Sequence, residues 1–550
     1  MKPFSEWRRD YFTAYAHHHP EEATTLGFPG HAHRLSDISQ NGQADRQAFF
    51  TRTLRELEAY HLSGQLTADE ALDGGAISRI AQFSARAHLD RSFNVELSVF
   101  PYSMVAHQRV HAESTEEKSA LCDRLAAIPL FLKQNESNAE EALRGGTRID
   151  RGIVKSFVEE VVPGAIASLR EMGGVGEEAA VAYEAHLAFL REEILPRAGE
   201  AFAVGEEGVQ FRLECFLGTP TSIDELIAEA SDALKVAQSE LVSAAKRVAA
   251  KAGVSVASHK DAAAFFMALW AEHPASHEAA MAMYRSTQTR AEGFVRERGL
   301  FAIDGPFNMR IATIPKGIAV GTSATNWPAP LLRAEKSGSF LIAHHAEAHS
   351  IAGAANLAVH EGIPGHYLQS FVWQRAFSGE GAPVRFVCVT DDVAMARHYY
   401  GSMVNIEGFA AYAEELMLAE GFFSDEEALL SIVSKAIRAA RVVCDLSLHS
   451  GRMSKEGAAH FLSEEAAMPR GWAEGQIARY ARIPLQALTY HLGCAQIWAL
   501  KKNAQRLPNF SQARFHAALL GVGPVPPRCA ADVILARLTE GGANYARSNS

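Results

Sequence analysis

Closely spaced cysteines are missing from this sequence. Its 550 residues include six cysteines, but no Cys-x-x-Cys pair occurs among them. Such pairs are typical of thiolate zinc sites, and clustered cysteines are typical of disulfide-stapled secreted domains, so neither class is predicted. We expect buried, reduced thiols, which are usual in the cytoplasm.

The chain also lacks an excess of positive charge and a long apolar run. Its formal net charge is −11 at pH 7, which argues against a general affinity for nucleic acid. Nowhere do about 18 apolar residues follow one another without interruption, so no membrane span is predicted. The N-terminal segment MKPFSEWRRDYF has charges and aromatics where a signal peptide has its apolar core. We therefore expect a cytoplasmic monomer or homodimer with no nucleic-acid or membrane partner.

Long alanine-rich stretches with apolar residues at helical spacing dominate the chain. Ser222 is followed three residues later by Glu225, and Ser424 by Glu427, which is the capping-box pattern of a helix start. Both stretches run on for some seven turns and stop at a glycine. Further helical signals cover residues 139–145, 155–172, 178–203, 260–296 and 454–463. The patterns predict a mainly α protein.

One segment departs from the helical pattern. Residues 306–332, PFNMRIATIPKGIAVGTSATNWPAPLL, are rich in proline, glycine, threonine and β-branched residues, which predicts short strands and loops. No linker, repeat or low-complexity tract divides the chain. We therefore expect a single domain over 1–550, with an N-terminal helical lobe over 1–205 and a second lobe over 206–550 that holds the histidine motif described next.

Two histidines flank a Pro-Gly pair in the segment VHEGIPGHYLQ, residues 359–369. In a regular α-helix, His360 and His366 would point roughly 120° apart. Pro364 cannot donate the hydrogen bond that would reach back to His360, and the glycine after it permits backbone angles that other residues avoid. A break is therefore predicted between the histidines, and such a break would let both imidazoles bind one metal ion.

The carboxylate beside the first histidine has the position of the general base in zinc hydrolases. Glu361 would accept a proton from a water whose pKa the metal has lowered to about 7. A catalytic zinc usually has three protein ligands and one open position. Glu407 is the best candidate for the third ligand, because Gly408 after it would let another backbone approach closely.

Histidine ligands also need hydrogen-bond acceptors that fix their tautomer. Glu414, which lies two turns beyond the proposed third ligand, is one candidate, and the pair Asp391 and Asp392 is another. The segment HHAEAH at 344–349 also has histidines four apart, but an alanine stands in the place of the base. We expect that segment to be the polar face of a helix.

Three polar residues lie four apart on the helix predicted from Ser424 onward. Arg441, Asp445 and His449 would form one row, so Asp445 could orient His449 as a donor to a developing oxyanion. A ladder of surface ion pairs has the same spacing and stays an alternative.

The later segment IARYARIPLQALTYHLG supplies an arginine and a tyrosine with matching chemistry. The hydroxyl of Tyr490 is a candidate oxyanion donor, with a buried core tyrosine as the alternative. Arg479 suits a substrate carboxylate, and Arg482 and Lys316 are further candidates for that role.

The order of these motifs resembles a large bacterial family catalogued as domain of unknown function 885. The likeness is carried by HEGIPGHYLQ, IEGFAAYAEELMLAEGF, RAARVVCDLSLHSG and RYARIPLQALTYHLG, and with HPEEATTLGF near the N-terminus it spans nearly the whole chain. The resemblance implies a large helical, gluzincin-like metallopeptidase body with a deep central channel or cleft. Phe409 replaces the family's usual tryptophan, which should alter packing and leave ligation unchanged.

Matched position by position, the resemblance implies a set of site residues: the two histidines His360 and His366, the glutamates Glu361 and Glu407, the pair Asp445 and His449, and Tyr490. The expected protein is a zinc-dependent peptidase that acts on short peptides, although manganese or cobalt would also suit the donors. An amidase or esterase acting on a non-peptide substrate remains an alternative. So does a non-catalytic helical binding protein with a vestigial metal site, which predicts a closed four-ligand site.

Overall fold

The computed structural model describes residues 2–86, 95–146, 149–303, 305–314, 323–378, 383–387 and 402–539. Over these ranges the chain is mainly α with one small sheet, which confirms the predicted fold class. The candidates Lys316, Asp391 and Asp392 lie outside the described residues.

The α-helices are numbered in chain order. They are α1 (Phe4–His18), α2 (Pro20–Leu26), α3 (Gln40–Ser63), α4 (Ala68–Arg86), α5 (Phe100–His111), α6 (Thr115–Arg144), α7 (Arg151–Ser156), α8 (Val162–Met172), α9 (Val175–Phe189), α10 (Gly205–Phe211), α11 (Ile223–Lys251), α12 (His259–Trp270), α13 (His277–Glu297), α14 (Ala354–Glu361), α15 (His366–Phe377), α16 (Met403–Ala419), α17 (Asp425–His449), α18 (Lys455–Glu465), α19 (Arg470–Arg482), α20 (Thr489–Ala504), α21 (Gln512–Gly521) and α22 (Ala531–Thr539). Single π-helical turns follow α7, α9 and α10 at Phe157–Val161, Leu190–Ile194 and Arg212–Phe216.

The two longest stretches predicted from capping boxes are helices, and both boxes are formed. The Ser222 hydroxyl accepts from the amide of Glu225, whose carboxylate accepts from the amide of Ser222. The same reciprocal pair starts α17 at Ser424 and Glu427. The resulting helices α11 and α17 pack along each other, with small alanine side chains in their contact.

Three local expectations differ from the structure. Residues 260–296 are two helices, because Pro274 interrupts the pattern and the Ser276 hydroxyl caps α13 by accepting from the amide of Ala279. The segment HHAEAH contains a short 3-10 turn and no α-helix, so it is not the polar face of a helix. The third strand of the sheet falls beyond the predicted β region.

The sheet has three four-residue strands: β1 (Arg310–Thr313), β2 (Ala324–Trp327) and β3 (Ser339–Ile342). Their order is β1-β3-β2, so β3 is central, parallel to β1 and antiparallel to β2. The central strand, SFLI, is buried on both faces. A short apolar run of this kind does not allow a strand to be distinguished from a helical turn in the sequence. β2 is an edge strand and lies against α14 and α15.

The hydrophobic cores connect the beginning of the chain with its second half. One core joins aromatic and aliphatic residues of α1, α3 and α4 to residues of α16, α17 and the segment before α20. Another core gathers residues between Val95 and Ala198. The predicted lobe boundary near residue 205 stays a prediction. The first core nevertheless shows that the N-terminal helices support the helices that bear the candidate site.

Candidate metal centre

The helix that carries the histidine motif is broken between its two histidines, as the sequence predicts. α14 ends at Glu361 and α15 begins at His366, with a cis peptide bond between Ile363 and Pro364. The amide of Gly365 turns back to donate to the carbonyl of Val359 at 2.9 Å. The break places the imidazole rings of His360 and His366 with centroids 4.8 Å apart and planes at 81°.

A glutamine from another helix bridges this break. Gln288 of α13 donates from Nε2 to the carbonyl of Ala358 at 2.6 Å, and its Oε1 accepts from the amide of Ile363 at 3.1 Å. There is no space for larger residues at the turn. A Cβ on Gly362 would lie 2.0 Å from Gln288 Nε2, and one on Gly365 would lie 2.0 Å from the His360 carbonyl oxygen. Gln288 therefore gives the Ile363 amide an acceptor where the helix is broken, and it adds a second donor to the Ala358 carbonyl.

Glu407 of α16 faces both histidines. Its Oε2 lies 3.4 Å from Nε2 of His360 and 3.3 Å from Nε2 of His366. That oxygen is buried, and among the described residues no group is oriented to hydrogen-bond to it. Two ligand atoms that each lie 2.0–2.1 Å from a tetrahedral zinc are roughly 3.3–3.4 Å apart. The three side chains therefore fit a zinc ion in donor type and number, and the two oxygen–nitrogen distances match tetrahedral spacing.

Glu414, one of the predicted acceptors, fixes the first histidine. Nδ1 of His360 donates to Glu414 Oε1 at 2.6 Å, and Asn356 Nδ2 donates to Oε2 at 2.7 Å. Arg438 of α17 forms a buried ion pair with the same carboxylate. Burial alone would raise the pKa of Glu414, but Arg438 and His360 outweigh it and lower the pKa to about 2. A fixed negative charge therefore holds Nε2 of His360 toward Glu407.

Glu361 lies beside the metal candidates and is held by the sheet. One of its carboxylate oxygens and one nitrogen of each histidine all lie within 4.8 Å of one another. Its Oε2 accepts from the backbone amide of Asn326 at 2.7 Å. Asn326 lies in the edge strand β2, and its amide points away from β3. Burial raises the pKa of Glu361, although the two imidazoles lower it.

Tyr490 and two arginines border the histidine pair. The ring of Tyr490, in the first turn of α20, stacks on His360 with centroids 6.1 Å apart and planes at 19°. The guanidinium carbon of Arg441 lies 5.2 Å from the Tyr490 ring centroid. Burial would lower the pKa of Arg479, but Tyr490, Tyr480 and Glu407 raise it, so this guanidinium lies within electrostatic reach of the site.

Asp445 supports the segment that leads to Tyr490. Its carboxylate accepts from the amides of Leu485 at 3.0 Å and Leu488 at 3.3 Å. Leu485 has a φ of 62°, which is unfavourable for a side-chain-bearing residue and needs support from its surroundings. Burial raises the pKa of Asp445 to about 7, against the amide hydrogen bonds, which lower it. The structure thus gives Asp445 a positioning role toward α20.

His449 is not brought to the histidine pair. It lies eleven residues beyond Arg438, or about 16 Å along the axis of α17. Its Nε2 lies 2.9 Å from the carbonyl oxygen of Tyr480, and its ring packs edge-on against Phe202. Burial lowers the pKa of His449 to about 4. These contacts place His449 as a neutral side chain beside α19.

The predicted close approach at Gly408 is confirmed. A Cβ on Gly408 would lie 2.4 Å from the Cα of Gly493, so the backbones of α16 and α20 touch there. This contact sets Glu407 of one helix beside Tyr490 of the other.

Sequence reasoning missed several residues that shape the site. Asn356 lies four residues before His360 on an apolar helix, so the spacing alone places the two polar side chains on the same helix face. Arg438 belongs to the same helix as the polar row that begins at Arg441. Gln288 and the backbone amide of Asn326 lie far from the motif in sequence and carried no signal.

The fold is shared with two solved structures. One is "a putative lipoprotein of unknown function" from Shewanella oneidensis, with a TM-score of 0.73 and 18% identity, covering 97% of this chain and 100% of that one. The other is "the putative lipoprotein" from Colwellia psychrerythraea, with a TM-score of 0.75 and 16% identity, covering 98% of this chain and 99% of that one. At such identities the likeness concerns the fold.

A comparison with curated proteins finds no match. The family model described as "Bacterial protein of unknown function (DUF885)" matches residues 20–534, which is nearly the whole chain. The chain therefore belongs to the DUF885 family.

Proposed function

We propose that this chain is a zinc-dependent hydrolase that cleaves short peptides. The observation that carries the proposal is the convergence of two imidazoles and the unpartnered Glu407 carboxylate oxygen at the spacing of tetrahedral zinc ligands. A general base in zinc hydrolases must lie next to such a centre without being one of its ligands, and Glu361 has that position.

A zinc ion held by His360, His366 and Glu407 would acidify a water molecule and polarise the scissile carbonyl. Glu361 takes the proton from the water and delivers it to the leaving amine. Burial raises the pKa of Glu361, which brings this carboxylate closer to the range where proton transfer in both directions is efficient. The hydroxyl of Tyr490 is the proposed donor to the developing oxyanion.

The edge strand favours an extended peptide over other amides or esters. The amide of Asn326 in β2 points away from the sheet and holds Glu361, so the outer edge of β2 runs past the proposed base. An exposed strand edge can pair with the backbone of an extended chain. A peptide bound in this way would pass its carbonyl groups close to the metal candidates.

The test compares the wild-type protein with Glu361→Gln, each loaded with zinc. Both proteins should hold about one zinc per chain in elemental analysis, because Glu361 is not a proposed ligand. Hydrolysis of a mixed short-peptide library should fall by roughly 10²–10⁴-fold in the variant. Unchanged hydrolysis by a variant that keeps its zinc would refute the mechanism.

A non-catalytic, structural metal site would need a fourth protein ligand. Glu361 is a candidate for that role, because one of its oxygens lies within 4.8 Å of a nitrogen of each histidine, but the backbone amide of Asn326 already engages one of its oxygens. X-ray absorption of the zinc-loaded protein distinguishes the two cases. Three protein ligands and one water favour the hydrolase, whereas four protein ligands favour the binding protein.

The cytoplasmic location stays a prediction. Within the described ranges, no helix is both long and apolar enough to cross a membrane. The two structures with the same fold come from proteins described as putative lipoproteins, which makes an envelope location worth testing. Fractionation of the source cells with an antibody against the chain decides between the two.

A further inference from the structure

An arginine close to the proposed metal centre has no hydrogen-bonded carboxylate among the residues that the structure describes. Arg479 lies in the last turn of α19, and its Nε and Nη2 atoms are buried with no hydrogen-bond partner among the described residues. Two carboxylates act on it electrostatically, and both have other partners. Glu407 faces both histidines, and Asp445 accepts from the backbone amides of Leu485 and Leu488. A buried guanidinium without a bonded anion is unfavourable, so the site is expected to bind one.

The surroundings of Arg479 add positive charge and supply neutral partners. The guanidinium carbon of Arg479 lies 5.6 Å from the ring centroid of Tyr480. Arg441, on the neighbouring α17, donates to the Tyr480 hydroxyl at 2.8 Å and to Gln476 at 3.2 Å. Neither of these partners carries a charge at neutral pH. Two guanidinium groups therefore flank the same tyrosine side chains without a carboxylate among their described hydrogen-bond partners.

One aromatic ring separates this positive region from the metal candidates. Tyr490 interacts with Arg479 electrostatically, contacts Arg441 through its ring and stacks on His360 with its face. An extended peptide advances about 3.3–3.6 Å per residue. A carboxylate bound by Arg479 would therefore place the scissile bond one or two residues from that carboxylate.

We infer that the substrates are peptides with a free C-terminal carboxylate, which Arg479 binds, and that the enzyme releases one or two residues from the C-terminus. This inference rests on the proposed hydrolase function. The reaction adds one water across a peptide C–N bond: the hydroxyl joins the acyl carbon, and the leaving amine receives the proton carried by Glu361. Arg479 acts as a binding residue, because a guanidinium pairs with a carboxylate through two parallel hydrogen bonds.

The experiment uses two peptides of identical sequence, one with a free C-terminal acid and one with a C-terminal amide. The zinc-loaded wild-type protein should hydrolyse the acid with a kcat/KM roughly 100-fold higher, in line with a lost charge-assisted pair. Arg479→Gln should reduce the value for the acid to that for the amide. Arg470→Gln is the matched control, because this exposed residue lies on the same helix and pairs with Glu474. It should preserve the wild-type preference.

A second measurement separates this inference from the proposed function. Calorimetry with zinc-loaded Glu361→Gln should show tighter binding of the acid than of the amide, and Arg479→Gln in that background should remove the difference. Arg479→Lys, which keeps the charge, replaces Arg479→Gln if the latter does not fold.

Equal hydrolysis and equal binding of acid and amide would overturn the inference and leave the hydrolase intact. Absence of hydrolysis for both peptides would refute the hydrolase. The Arg479-dependent difference in binding would then still decide whether the arginine recognises a carboxylate.

Discussion

Gln288 offers a sharp test of how the broken helix is held. Its amide bridges the carbonyl of Ala358 and the amide of Ile363, on either side of the point where α14 ends. Gln288→Leu keeps a similar side-chain volume and removes both hydrogen bonds. The substitution therefore changes the support of the histidine motif without touching a histidine.

The expected loss of stability follows from the two groups that are left behind. The amide of Ile363 would be buried without an acceptor, at about 1–3 kcal/mol. The carbonyl of Ala358 would keep its bond from the amide of Gly362 at 2.9 Å, so losing its second donor costs about 0.5–1.5 kcal/mol. Together these terms predict that the free energy of unfolding falls by about 1.5–4.5 kcal/mol.

Urea denaturation of the metal-free protein measures this change, and competition with a chelating dye measures zinc affinity. We expect affinity to fall on the order of tenfold, because the two histidines are then held less firmly in their relative position. Thr289→Ala is the control: its exposed hydroxyl donates to the carbonyl of Arg285 on the same helix, and the change should stay within about 0.5 kcal/mol. A Gln288→Leu protein as stable as the control, with unchanged zinc affinity, would refute the bridging role.

Two further predictions concern side chains that support the site. Glu414→Gln removes the charge that holds His360 and Arg438. Zinc affinity, measured by the same dye competition, should fall roughly 10- to 100-fold. An unchanged affinity would contradict the orienting role of Glu414. Because burial raises the pKa of Asp445 to about 7, its contribution to folding is complete below the ordinary carboxyl pKa and is lost as pH rises through about 7. In the wild-type protein, the free energy of unfolding should therefore decline by up to about 1.4 kcal/mol per pH unit between roughly pH 5 and pH 7, as measured by urea titration. Asp445→Asn should remove this decline. An equal decline in the variant would show that Asp445 is not its cause.

The sequence predicted the parts of the site that depend on local backbone chemistry. Pro364 removes a helix hydrogen bond and Gly365 permits unusual backbone angles, and together they predicted that the helix would be interrupted between His360 and His366. Likewise, a glycine directly after Glu407 predicted close backbone contact, and Gly408 meets Gly493. In both cases the cause lies within a few residues of its effect.

The sequence did not predict the contacts that depend on packing. Gln288 reaches the motif from a helix some 70 residues upstream, and a glutamine on an amphipathic helix carries no mark of such a role. His449 was placed by spacing in a row with Arg441, but spacing defines only a face of α17. The length of that helix carries His449 past the histidine pair to Tyr480. The contacts of a residue on a long helix can be predicted only when the helices packed beside it are known.

The meeting of Gly408 and Gly493 also limits how the two helices at the candidate site can move. With no side chain between them, α16 and α20 have little room to slide or tilt, because any shift brings backbone atoms into collision. Glu407 of α16 and Tyr490 of α20 are consequently held in a fixed position relative to each other. Any rearrangement that admits a peptide is then left to the other elements around the histidine pair, such as the edge strand β2, whose Asn326 amide meets Glu361.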